Sequence, residues 1–79
     1  MKVKVRLFGT LARELPDHDP LNGLEIEIPA DASVVDLLDQ LDLPKSKIGL
    51  VSVQGRLVKA GKKLKEGDFI RIFRPIFGG

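Results

Sequence analysis

Apolar and charged residues alternate strictly from Lys2 to Leu7, and Phe8 takes the next outward position. This pattern buries one face of a β-strand and leaves the other exposed. The inward set is Val3, Val5 and Leu7, and the outward set is Lys2, Lys4, Arg6 and Phe8. Alternation returns over Leu24 to Ile28 and over Phe69 to Phe73, where Ile70 and Ile72 form the inward pair. The sequence therefore predicts half-buried strands at both ends of the chain.

One segment between these strands has helical periodicity. Apolar residues recur at helical spacing at Val34, Leu37, Leu38 and Leu41. Ser33 is placed to act as the N-cap, and Asp36 at the third helical position suits a capping box. Pro44 disfavours continuation, so we expect the helix to end near Leu41 or Asp42.

The remaining segments complete the order ββαβββ. Gly9 to Gly23 is predicted to be a loop with a helical turn around Leu11 to Leu15. Leu50 to Val53 and Arg56 to Val58 flank Gln54-Gly55, which predicts a tight hairpin.

This order in 79 residues predicts an α+β fold in which a mixed sheet packs on one main helix, the ubiquitin-like β-grasp. In that fold the first and last strands are parallel neighbours in the middle of the sheet. We expect one domain over residues 1–75 and a flexible tail over 76–79. The predicted core is Val3, Val5, Leu7, Ile26, Ile28, Val34, Leu37, Leu38, Leu41, Val51, Val53, Ile70 and Ile72.

Phenylalanine occupies the outward face of the two central strands. Phe8, Phe69 and Phe73 share that face with lysines and arginines, and Leu57 joins them from the neighbouring hairpin. Apolar groups rimmed by charge on an exposed sheet predict a protein-binding surface. The alternative is that the loop from Gly9 to Gly23 folds over these rings.

The sequence ends in Gly78-Gly79, directly after the last predicted strand. Two glycines contribute little to a structural end, because glycine loses the most backbone entropy on ordering. The pair makes chemical sense if the slim tail threads a narrow channel and the carboxylate of Gly79 is the functional group. A disordered end or an appended expression remnant are the alternatives.

Composition narrows the function further. The absence of cysteine excludes disulfides and thiolate chemistry, and no residue pattern indicates a metal site, a catalytic triad or a phosphate loop. A net charge of +2 with pI ≈ 9.2 argues against nucleic-acid binding. The Lys59 to Lys65 run is predicted to be a solvated turn, or else a surface for an acidic partner. No apolar run is long enough to span a bilayer and the start is a poor signal peptide, so we expect a cytoplasmic protein. Because no catalytic pattern is present, we expect a protein without enzyme activity, on which an enzyme acts.

Four segments together resemble the MoaD/ThiS sulfur carriers, which are ubiquitin-like β-grasp proteins. They are Val5 to Phe8, Ala32 to Leu38, Gly67-Asp68, and the end from Phe73 to Gly79. The resemblance covers nearly the whole chain. It is closer to MoaD, the small subunit of molybdopterin synthase, than to ThiS of thiamine synthesis.

The resemblance implies a carrier that binds no cofactor itself. An E1-like adenylating enzyme (MoeB/ThiF-like) uses ATP to form an acyl-adenylate at Gly79, with Gly78 behind it. A persulfide sulfur donor then gives a thiocarboxylate, which delivers sulfur in a MoaE-like synthase subunit. Phe8, Leu57 and Phe73 match the docking surface of the family, while Arg74, Pro75 and Phe77 would contact the partner along the tail.

Two departures leave the sulfur acceptor open. Arg74 stands where MoaD proteins often have a second proline, and Phe77 stands where a small residue is common. Molybdopterin, thiazole or another sulfur acceptor, and conjugation as a ubiquitin-like protein modifier, all stay possible. The rival from another class is a non-covalent, TGS-like binding module that uses the face with Lys4, Arg6 and Arg71.

Overall fold

The structure of the protein is a computed structural model that describes residues 1–15, 19, 22–43 and 45–75. The predictions for the tail residues Phe77, Gly78 and Gly79 lie outside the described residues. The division into a domain over 1–75 and a flexible tail over 76–79 therefore stays a prediction.

The described chain forms five strands, one α-helix and two short 3₁₀ helices. The strands are β1 (Lys2–Leu7), β2 (Leu24–Glu27), β3 (Leu50–Val53), β4 (Arg56–Val58) and β5 (Phe69–Phe73). The α-helix is α1 (Val34–Gln40), and the 3₁₀ helices are Gly9–Glu14 and Lys45–Lys47. The second 3₁₀ helix is a feature that sequence periodicity did not predict, because three residues are too few to show a period.

The five strands form one mixed sheet in the order β2-β1-β5-β3-β4. The two central strands, β1 and β5, are parallel, with Val5 opposite Ile70 and Leu7 opposite Ile72. The other three pairings are antiparallel. This arrangement confirms the predicted β-grasp architecture.

The inward faces of the strands and α1 enclose a single core. All but two of the predicted core residues are buried there. The two exceptions, Ile26 and Leu41, are only partly buried and pack against the core from outside. Ile26 lies on the edge strand β2 and Leu41 is the C-cap of α1, so each has neighbours on fewer sides. Segments without periodicity add Leu11, Ala32, Leu43 and Leu64 to the core.

The start of α1 is fixed by a capping box. The Asp36 carboxylate accepts a hydrogen bond from the Ser33 backbone N–H at 2.9 Å and another from the Ser33 hydroxyl at 3.0 Å. These bonds stabilise the charged form and lower the pKa of Asp36 below its ordinary value of 3.8. Ser33 and Asp36 thus play the roles that the sequence predicts.

The basic segment from Lys59 to Lys65 completes the helix cap. Its carbonyls at Ala60 and Lys62 accept hydrogen bonds from the first helical amides, Val35 and Val34, at 2.9 Å each. These amides have no partner within the helix itself. The four lysine side chains of the segment are exposed, as predicted for a solvated turn.

Candidate functional site: the outer apolar patch and the tail root

Four apolar side chains lie together on the sheet face opposite α1, and we call them the outer apolar patch: Phe8, Leu50, Leu57 and Phe73. Leu50 pairs with Phe73 in the β3–β5 register, while Ser52 pairs with Leu57 and places β4 beside them. Leu57 is 67% exposed and Leu50 is 47% exposed. The patch borders an open groove of about 370 Å³ that Gly9 and Arg74 complete.

Phe8 and Phe73 form the centre of the patch as a stacked pair. Their ring centroids are 4.7 Å apart, with the ring planes inclined by 14°. The sequence predicts Phe8 as the last residue of the first strand, but β1 ends at Leu7 because Gly9 turns the chain at φ 65°. Phe8 keeps an extended backbone and still donates its N–H to the Ile72 carbonyl at 3.1 Å, so its ring remains on the outward face.

Arginine side chains rim the aromatic groups. The Arg6 guanidinium lies 4.8 Å from the centroid of Phe8, and the Arg71 guanidinium lies 4.6 Å from that of Phe69. Contacts of this kind stabilise by ~0.5–1 kcal/mol at exposed sites. Phe69 thus contacts Arg71, which lies two residues further along β5, and it does not line the groove.

The patch is open in the part of the chain that the structure describes. Phe8 and Phe73 are half-buried, and Gly9 is the sole described residue of the 9–23 loop that lines the groove. Leu11 of this loop is 1% exposed and packs in the core instead of over the rings. The described part of the loop therefore leaves the rings uncovered, while the covering-loop alternative for residues 16–18, 20 and 21 lies outside the described residues.

The chain leaves the sheet beside the patch, at Arg74 and Pro75, which we call the tail root. The last two carbonyls of β5 accept hydrogen bonds. The Ile72 carbonyl accepts one from the N–H of Phe8, and the Phe73 carbonyl accepts one from the N–H of Gly49 at 2.7 Å. Arg74 is exposed and Pro75 is half-buried. The point from which the predicted tail starts is thus fixed by neighbours on both sides.

A second hollow, of about 320 Å³, lies against the other side of the tail root. The two 3₁₀ helices supply charged walls, and Lys47 Nζ lies 2.6 Å from Glu14 Oε1 in an ion pair. Arg74 borders both this hollow and the apolar groove. The tail root therefore runs between the apolar groove and a hollow whose walls include charged side chains.

The structure brings four of the predicted site residues around one groove: Phe8, Leu57, Phe73 and Arg74. Pro75 follows directly. Sequence reasoning missed Leu50, although a signal existed, because inward Val51 and Val53 require Leu50 to point outward. It also missed Gly49, for which the sequence offers no local signal.

The described residues suit binding and presentation. They contain no group of three or more His, Cys, Asp or Glu side chains that could hold a metal ion. Among the same residues, no helix is long and apolar enough to cross a membrane. The site consists of an exposed apolar patch, a charged rim and the start of a tail.

The fold and this site define the class of the protein as ubiquitin-like β-grasp. The structure is similar to SAMP1 from Haloferax volcanii, with a TM-score of 0.75 at 21% identity over 100% of both chains. It is also similar to a putative molybdopterin converting factor subunit 1 from Pyrococcus furiosus, with a TM-score of 0.76 at 27% identity over 95% of this chain and 98% of that one.

The chain belongs to the ThiS family, whose model matches residues 5–79. This match confirms the resemblance to MoaD/ThiS ubiquitin-like sulfur carriers. A complex of subunits 1 and 2 of the molybdopterin-converting factor from Helicobacter pylori contains a chain of the same fold, with a TM-score of 0.63 at 22% identity over 100% of both chains.

Sequence relatives carry a different name, Protein RnfH. The protein of that name from Yersinia pestis (strain Pestoides F) is 40% identical over 55 residues, which cover 68% of this chain and 55% of that protein. The one from Methylococcus capsulatus is 35% identical over 69 residues, covering 76% of this chain and 70% of that protein. The chain thus spans about half the length of the Yersinia relative.

Proposed function

We propose that this protein carries sulfur as a thiocarboxylate on Gly79 and delivers it in the biosynthesis of a sulfur-containing cofactor. The observation that carries the proposal is the placement of an exposed aromatic and aliphatic patch at the tail root. Phe73 belongs to the patch, and Arg74 follows it directly into the tail. A partner that binds the patch would therefore receive the Gly78-Gly79 end close to its contact surface.

The chemistry starts from an unreactive group. A carboxylate resists nucleophiles, so the Gly79 carboxylate must first attack the α-phosphorus of ATP, which releases pyrophosphate and forms an acyl-adenylate. A persulfide sulfur then displaces AMP from the carbonyl carbon. A second thiol cleaves the resulting acyl disulfide and leaves the thiocarboxylate. Splitting one hard substitution into easier covalent steps is the general advantage of such intermediates.

The catalytic groups for these steps would belong to partners, and this chain would serve as the carrier. An E1-like adenylating enzyme of MoeB/ThiF type would bind ATP and the outer apolar patch. A persulfide donor would supply the sulfur, and a MoaE-like synthase subunit would use it. We propose that the protein works in the cytoplasm and binds no cofactor itself.

Molybdopterin is the acceptor that we favour. The similar Pyrococcus protein is a putative molybdopterin converting factor subunit 1, and the Helicobacter structure contains subunits 1 and 2 of that factor together. A ThiS-like role in thiazole formation is the nearest alternative and uses the same carrier chemistry. Similarity to the small archaeal modifier protein 1 of Haloferax volcanii favours a further candidate, in which activated Gly79 is joined to an amine of another protein.

Reconstitution tests the proposal. The protein is incubated with the adenylating enzyme encoded in the same genome, ATP, a persulfide donor and a thiol that cleaves the acyl disulfide, and ATP–pyrophosphate exchange and intact mass are followed. We expect exchange to depend on the protein and the product to gain about 16 Da, the difference between sulfur and oxygen in the activated acyl group. Deletion of Gly79 should abolish both signals without unfolding the domain. Exchange that is unaffected by this deletion would contradict the proposal.

A one-residue extension separates the carrier from the rival TGS-like module. An alanine added after Gly79 moves the carboxylate away from the Gly-Gly pair but leaves the face with Lys4, Arg6 and Arg71 unchanged. A carrier loses sulfur transfer in this variant. A binding module that uses that face retains its binding.

A further inference from the structure

Gly49 is required for a different reason from the turn glycines of this protein. Four other glycines have positive φ angles, from 65° to 81°, in which glycine is favoured for its own backbone. Gly49 is not among them. Its backbone conformation would admit an ordinary residue, so the reason must lie in its surroundings.

Those surroundings are the backbone of the tail root. A Cβ atom added to Gly49 would lie 2.6 Å from the Cα of Pro75 and 2.7 Å from both the carbonyl oxygen of Arg74 and the nitrogen of Pro75. Real Cβ atoms essentially never approach other atoms closer than 3.0 Å. All three contacts are backbone atoms, and no side-chain rotation can relieve them.

Two constraints make this contact rigid. The Gly49 N–H donates to the Phe73 carbonyl at 2.7 Å, which ties the start of β3 to the end of β5. The ring of Pro75 fixes its own φ, so the chain cannot swing freely at that residue. A side chain at position 49 must therefore displace the tail root or break the hydrogen bond to Phe73.

The carrier carboxylate is only a short length of chain away from the tail root. Gly79 is four residues beyond Pro75. Four residues reach at most about 14 Å when fully extended. In reactions that depend on positioning, a displacement of about 1 Å can cost about 10²-fold in rate.

We propose that Gly49 is a positioning residue for the carrier tail: its missing side chain lets the Arg74–Pro75 backbone pack directly on the start of β3 and so sets the point from which Gly79 reaches a partner's active site. This role rests on the proposed function. Gly49 touches no reacting group, and it acts through the tail root.

Gly49→Ala tests the proposal, and Gly61→Ala is the matched control. Gly61 also lacks a positive φ, and a Cβ there meets no described atom within 4 Å. Each variant is combined with the adenylating enzyme encoded in the same genome. The measurements are the Kd of the complex and the single-turnover rate of adenylate formation at saturating enzyme.

For Gly49→Ala we expect a loss of about 10²-fold in the adenylation rate. Its Kd should stay close to that of the unaltered protein, because the substitution removes none of the four side chains of the outer apolar patch. Gly61→Ala should match the unaltered protein in both measurements. Amide chemical-shift changes in Gly49→Ala should be confined to β3, the end of β5 and the residues that follow.

If Gly49→Ala does not fold, Pro75→Gly provides the second test. It removes the rigid ring without introducing a clash, and the same loss of rate at saturating enzyme is expected. An adenylation rate that stays near normal in a folded variant overturns the positioning role. An increase in Kd that accounts for the whole defect also overturns it, because Gly49 would then act on docking.

The two proposals fail in different ways. If the unaltered protein is not adenylated, the proposed function fails and the positioning role falls with it. If the unaltered protein is adenylated normally and Gly49→Ala equals it in rate, only the positioning role is wrong.

Discussion

At the residue scale, the stacked pair of Phe8 and Phe73 is the feature most readily tested. The two rings come from different strands and meet at 4.7 Å on the exposed face. Aromatic groups at the centre of an interface carry much of its binding energy. We therefore predict that a Phe8→Ala, Phe73→Ala double variant loses at least about 2 kcal/mol of binding to the adenylating enzyme, or roughly 30-fold in Kd.

The control for this prediction is Lys2→Ala, which removes an exposed charge from the same sheet face. A rim charge contributes little to affinity, and its loss affects mainly the association rate. Circular dichroism must show that the double variant remains folded, because both rings are half-buried. A folded double variant that binds with unchanged Kd would remove the patch from the account.

At the element scale, the cap of α1 makes stability depend on pH. The Asp36 pKa is lowered mainly by the hydrogen bond from the Ser33 backbone N–H, so the folded state favours the charged carboxylate. This contribution is fully present above the ordinary value of 3.8 and is lost as pH falls through the lower pKa of the folded state.

We predict that Asp36→Asn lowers the free energy of unfolding at pH 7 and that its difference from the unaltered protein shrinks as pH falls below about 4. Urea unfolding at several pH values measures this. Asp39→Asn, one turn further along α1, removes the same formal charge away from the capping box and is the control. A difference that stays constant down to pH 2 would contradict the assigned role of Asp36.

The packing of α1 on the sheet gives a second prediction at this scale. Leu38 is 6% exposed in the core, so Leu38→Ala should lower the free energy of unfolding by ~2–5 kcal/mol. Leu57→Ala, at a side chain that is 67% exposed, should change it by less than ~0.5 kcal/mol. Equal effects of the two substitutions in chemical unfolding would show that the core has been wrongly assigned.

At the scale of the whole molecule, the sequence predicts most of the fold because its signals are periodic. Strict alternation located β1 and β5, helical spacing located α1, and Gln54-Gly55 located the hairpin, where φ is 52° and 81°. Leu11 and Leu64 escaped prediction because they join the core from segments without a period. Gly49 escaped because its role depends on residues 25 positions away, which only the folded sheet brings close.

The same contrast applies to the candidate site. The positions of Phe8, Phe73 and Leu57 on the outward face of the sheet follow from strand alternation and from the hairpin turn, so the patch could be predicted. Its openness could not, because that depends on where the 3₁₀ helix Gly9–Glu14 packs. The seating of the tail root between two hollows likewise follows from tertiary packing.

Sulfur carried on Gly79 can be detected directly. The most direct measurement is the intact mass of the protein produced together with its native partners. We predict a fraction heavier by about 16 Da than the carboxylate form, the increment expected when sulfur replaces one oxygen of an activated acyl group. Fragmentation should place this increment on Gly79, and deletion of Gly79 should remove it. A single species with the mass of the free carboxylate, with the partners present and active, would contradict the account.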